Sequence, residues 1–151
     1  MNGFENNILL QADDFYEAYS RCIEPKHQRF EDGRQVGDVV NVPAIVNAAF
    51  ACELYLKSLI GKELQTHDLS VFYRSLKQEI KEEIEDRYRD KKVFEIDTAY
   101  QAIKTVGKTF VEWRYLYKDE YSKQCNPKDL NIYLNIFQAI LPILKEVAHL
   151  H

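Results

Sequence analysis

Apolar residues recur at three- and four-residue spacing over most of this chain, the mark of helices that each bury one face. Leu9, Ala12, Phe15, Tyr16, Tyr19 and Ile23 predict a first helix over Asn7 to Ile23, ended by Pro25. A second helix is expected from Asn41 or Val42, with Pro43 in its first turn, to Gly61, a residue suited to a left-handed helix end. Its stripe of Ile45, Ala48, Ala49, Cys52, Leu56 and Leu59 is joined by Phe50 and Leu54 in other directions, so it is apolar nearly all round and therefore central. Glu53 and Lys57 are its conspicuous charges.

A third helix carries Leu69, Phe72, Leu76, Ile80 and Ile84, with Thr66 or Asp68 as its cap, which places His67 at a helix entrance. The fourth should run from near Asp97 to near Asp119, with Ala99, Ile103, Val106, Phe110, Trp113 and Tyr117 facing inward. Asn126 as cap and Pro127 in the first helical position open a fifth helix bearing Leu130, Tyr133, Leu134, Phe137, Ile140, Leu141 and Leu144, kinked at Pro142. Glu24 to Asn41 has no sustained period and reads as a long loop. Five helical segments without a convincing strand predict an all-α fold, an antiparallel up-down bundle of four main helices plus an extra one, in one domain over residues 1–151.

Composition narrows the chemistry. A formal charge of −4 argues against broad attraction to nucleic acid or anionic lipid, so any such contact has to be local. The six basic and six acidic side chains from Lys77 to Lys92 read as a solvated, salt-bridged face. Cys22, Cys52 and Cys125 form no C-x-x-C pair, which suits a reducing cytoplasm; Cys22 and Cys52 fall among apolar helix positions, whereas Cys125 is expected at the surface. The first residues lack the features of a signal peptide, and no apolar run is read as approaching the roughly 20 residues that span a bilayer. A soluble, cytoplasmic chain with no membrane partner is the expectation.

Phosphate-cradling glycine loops, paired-histidine zinc helices and calcium loops are all missing, so no metal or cofactor is expected. Of the four histidines, His27 and His67 are scattered, and His149 and His151 are expected to fray at the C-terminus. The strongest candidate is Arg114, beside the only tryptophan in Phe110-Val111-Glu112-Trp113-Arg114-Tyr115-Leu116-Tyr117. On a continuous helix it lies within about a ninth of a turn of Phe110 and shares a face with Ile103 and Tyr117, so it should point inward. An inward guanidinium needs a partner, and the expected one is Glu53 on the central helix. That pair either fixes the register of two helices or holds Arg114 toward a phosphate or a partner subunit. His67 and Asp68 form a candidate acid–base couple, and Tyr115, Tyr117 and Tyr121 are candidates for stacking on a base or a partner helix.

Three stretches together, Ala48 to Leu59, Thr66-His67-Asp68-Leu69 and Phe110 to Tyr117, resemble the HEPN superfamily, over about Pro43 to Tyr121. The resemblance implies a small helical bundle that pairs as a homodimer. It also implies a metal-independent ribonuclease, or a partner of a minimal nucleotidyltransferase, in toxin–antitoxin and antiviral systems. HEPN ribonucleases follow their motif arginine, four to six residues later, with a histidine; here Arg114 is followed at the last three of those positions by Asp119, Glu120 and Tyr121, so only the arginine carries over. The expected function is a nucleotide-, RNA- or protein-binding interaction module, with Glu53, Lys57, Asp68, Arg114, Tyr115 and Tyr117 around its polar centre. The alternative is a ribonuclease in which Arg114 binds the phosphate and His67 is the acid or base.

Overall fold

The computed structural model describes residues 3–24, 29–36, 41–115 and 127–151. The fold is all-α, as the apolar spacing predicts. Helix α1 spans Gly3–Ile23 and α2 spans Asn41–Ile60, closed by Gly61 at a φ of 81°. Helix α7, Pro127–Leu150, contains Pro142 and brings Ile136, Phe137, Ile140, Leu141 and Leu144 into the core. These three long helices begin and end close to where capping residues and proline place them. Helix α2 packs most extensively on α1, and also touches α7 and the shorter helices of the middle of the chain.

By length and composition α2 is apolar enough to cross a membrane, contrary to the sequence reading. Its apolar residues are spent on the core instead: Ala44, Ile45, Ala48, Ala49, Ala51, Cys52, Leu54, Tyr55 and Leu56 are all buried. Burial pushes the Cys52 thiol well above its ordinary pKa, which leaves it an inert packing residue.

The middle of the chain departs from expectation. The stretch read as one third helix is two, α3 (Leu69–Arg74) and α4 (Gln78–Arg89). The Ser75 hydroxyl donates to the Val71 carbonyl at 2.9 Å and Lys77 takes an extended backbone, which ends α3 and starts α4 in a new direction. The expected fourth helix is likewise broken into α5 (Ala99–Thr105), α6 (Thr109–Glu112) and a 3-10 turn over Trp113–Tyr115, with Gly107 in the first break. Glu85 of α4 ties the pieces together: its carboxylate accepts from the free amides of Ala99 and Tyr100 at 2.9 and 3.0 Å and from the Tyr73 hydroxyl at 2.7 Å.

Within the expected loop, Arg29–Glu31 (β1) and Arg34–Val36 (β2) pair as an antiparallel hairpin, with Phe30 opposite Gln35. Its turn is Asp32-Gly33 at φ values of 49° and 76°, the residue pair that two-residue hairpins with two positive φ angles favour. His149 and His151 do not fray. Both carboxylate oxygens of Asp13 lie 3.0–3.1 Å from His149 Nε2, and Glu83 holds His151 Nε2 at 2.8 Å, so the end of α7 is tied to α1 and α4. Hydrogen bonding to His151 holds the Glu83 carboxyl below the usual carboxylate range.

Candidate functional site

Glu53 is the pivot of the polar centre. It is fully buried on α2, yet its carboxylate has two cationic or hydrogen-bonding partners. Oε1 is 2.7 Å from His67 Nδ1, and Oε2 is 3.3 Å from Lys57 Nζ one helical turn on, an ion pair at an angle too poor for a hydrogen bond. Lys57 reaches a second carboxylate, Glu63, at 3.1 Å, and its ammonium sits 5.9 Å from the centre of the Phe72 ring. Burial draws the Lys57 pKa down, but hydrogen bonds to Glu63 and Glu53 outweigh it and the net direction is up.

A carboxylate only accepts, so the contact at Nδ1 puts the ring proton there and leaves the Nε2 lone pair of the neutral imidazole for another task. The His67 side chain is 47% exposed, so the ring bridges the core and the surface. Its neighbours are set by the joint before α3. Asp68 caps that helix, its Oδ1 accepting from Ser70 N at 3.0 Å and Ser70 Oγ at 2.7 Å, and Leu69 N donates to Gly107 O at 3.0 Å. Asp68 is thereby occupied, and the carboxylate that orients His67 is Glu53 rather than its chain neighbour.

Gly107 is required at this joint. A Cβ there would lie 2.7 Å from Asp68 Oδ1 and 3.3 Å from the Lys104 carbonyl. Gly107→Ala is therefore expected to cost about 1–3 kcal/mol in a urea titration, by overpacking and by displacing the α3 cap. Unchanged stability would mean that Asp68 is not held against the turn.

Arg114 is not where the periodicity places it. It is exposed, and among the described residues Glu53 pairs with Lys57 and His67, not with Arg114. Its Nε donates to the Phe110 carbonyl at 2.9 Å, and its guanidinium carbon lies 4.2 Å from the Phe110 ring centre and 5.2 Å from that of Tyr115. Phe110 is nonetheless the meeting point of both candidate residues: the His67 ring is centred 5.1 Å from it, and Phe50 of α2 stacks on it at 4.7 Å. Tyr117 and Tyr121, together with Asp119, Glu120 and Cys125, lie outside the described residues.

His67 lines a hollow of about 350 Å³ with Thr66, Asp68, Lys108, Val111 and Glu112. A second hollow of about 350 Å³ adjoins it, sharing Asp68, Lys108 and Glu112 and extending to Arg74 and Lys104. Burial pushes the Glu112 carboxyl above its ordinary range, with Lys108 pulling the other way. Lys108 and Glu112 escaped the sequence reading because they look like two more surface charges on a continuous helix. The one available signal was Gly107, whose break turns that stretch toward His67.

The chain matches no family model, no curated protein and no solved structure.

Proposed function

We propose that this chain is a HEPN-like nucleotide- or RNA-binding module of the cytoplasm, acting as a homodimer beside a toxin, antitoxin or nucleotidyltransferase partner, and that its ligand occupies the hollow at His67. One observation carries the reading. A fully buried carboxylate holds one edge of a half-exposed imidazole at 2.7 Å in a hollow that also carries Lys108. A ring fixed in that way presents its free nitrogen in one direction, and a lysine beside it supplies charge for a phosphate. The motif segment contributes Arg114 and the Phe110 ring at the same place.

Fluorescence anisotropy with a labelled single-stranded RNA at low salt tests the reading. Saturable binding is expected, weakened about tenfold by Lys108→Glu, since reversing a charge beside a phosphate adds repulsion to the lost attraction. Absence of saturable RNA binding at any accessible protein concentration would overturn it.

The second reading, a metal-independent ribonuclease, is favoured by the Glu53–His67 contact together with Glu112 in the same hollow. In that reaction His67 Nε2 takes the proton of a ribose 2′-hydroxyl and the 2′-oxygen attacks phosphorus. The bond from phosphorus to the 5′-oxygen breaks, and protonated Glu112 delivers a proton to that leaving oxygen. The products are a 2′,3′-cyclic phosphate and a 5′-hydroxyl, with Arg114 and Lys108 stabilising the charge on the phosphoryl oxygens.

A further inference from the structure

Arg74 in the last turn of α3, Lys104 in the last turn of α5 and Lys108 just before α6 converge on the second hollow from three different segments. Elsewhere the chain spends its cations on acids: Arg21 pairs with Glu17, Arg87 with Glu83 and Glu146, Arg89 with Asp86 and Lys92 with Asp97. The three around this hollow are different. Among the described residues none is within ion-pair distance of a carboxylate, and the one polar contact of Arg74 there is to the Tyr100 hydroxyl at 3.1 Å.

The two acids at the hollow do not neutralise them. Asp68 is committed to the α3 cap, with its Oδ1 accepting twice from Ser70. Glu112 sits where burial disfavours its charged form. A chain of net charge −4 thus gathers three uncommitted cations around one concavity, which is the arrangement that attracts and holds a compact anion.

We propose that the Arg74–Lys104–Lys108 hollow is a phosphate site, and that in a bound polynucleotide it takes the phosphate next to the one presented to His67. The placement rests on the RNA-binding reading, because the two hollows adjoin through Asp68, Lys108 and Glu112. The phosphate affinity itself rests only on the three cations. A sugar–phosphate backbone running from one hollow into the other meets His67 first and the cation cluster next.

Arg74 and Lys104 are exposed and outside the His67 hollow, so the double variant Arg74→Gln/Lys104→Gln should fold as the parent chain does, which circular dichroism checks. Its affinity for single-stranded RNA should fall about tenfold or more, and the slope of log affinity against log salt should become shallower by about 1.4, two phosphate contacts at about 0.7 each. A variant that binds RNA with unchanged affinity and slope would remove the phosphate site while leaving the His67 groove in place. Inorganic phosphate separates the two ideas from the other side. Chemical-shift changes at Lys104 and Lys108 that saturate with phosphate and vanish in the double variant would uphold the site, even if the parent chain binds no RNA. Absence of those shifts together with absence of RNA binding would overturn both.

Discussion

Replacing Lys57 with methionine should destabilise the fold by about 3 kcal/mol or more, because it strands a carboxylate that has no access to water. Glu53 is fully buried, and Lys57, 3.3 Å away, is the only permanently charged group among its partners. Methionine keeps most of the apolar stem beside Phe72, so the loss reports on charge rather than on packing. The double variant Glu53→Gln/Lys57→Met removes both charges and should recover most of the loss, as neutral replacement of a buried pair does. The pH dependence has a defined sign. The Lys57 pKa is raised in the folded state, so its contribution is fully present below the ordinary lysine value and fades as pH rises through the folded value. The difference between parent and Lys57→Met in urea titrations should therefore shrink only at strongly alkaline pH. A loss below about 1 kcal/mol at neutral pH would mean that His67 alone holds the Glu53 charge.

The same buried acid explains what could and could not be read from the chain. Helices α1, α2 and α7 were legible because each carries a long apolar period between recognisable ends. The segment from Ala99 to Tyr115 was not, because helical phase carries no information across a break. Arg114 was aligned with Ile103 by counting about 100° per residue through Gly107, where the chain turns. The local relation survived: Arg114 bonds to the carbonyl of Phe110, four residues earlier. Phe110, however, lies at the rim of the core, so a side chain laid on its ring reaches solvent.

Glu53 posed a different problem. Its position on an all-apolar helix announced a buried charge in need of a partner, and that much was correct. The partner could not be chosen by sequence, since the joint bringing His67 over α2 depends on Gly107 accepting Asp68 in close contact. The hairpin at Asp32-Gly33 was missed for want of alternation, although its turn pair was in plain view.

His67→Gln is the variant with the largest expected effect on the ribonuclease reading: cleavage of a single-stranded RNA should fall by about 10²–10⁴-fold with binding little changed. Glutamine can still donate to Glu53 Oε1, so the buried carboxylate keeps a partner and the fold is spared, but it cannot take up a proton. Glu53→Gln makes the complementary test. It removes the acceptor that fixes the proton on Nδ1, and cleavage should drop while RNA affinity stays, the separation expected of a positioning residue. Glu112 sets the alkaline side of the profile. Its proton is held more tightly than that of an ordinary carboxyl, and as the donor it must be protonated, so the rate should fall as pH rises through its folded pKa. Glu112→Gln should lower the rate and remove that alkaline decline. Arg114→Ala should lower cleavage as well, by about 10²-fold if it stabilises the phosphoryl charge. RNA bound tightly but left intact by the parent chain over the whole pH range would remove the ribonuclease reading and leave the Glu53-oriented imidazole as part of a binding surface.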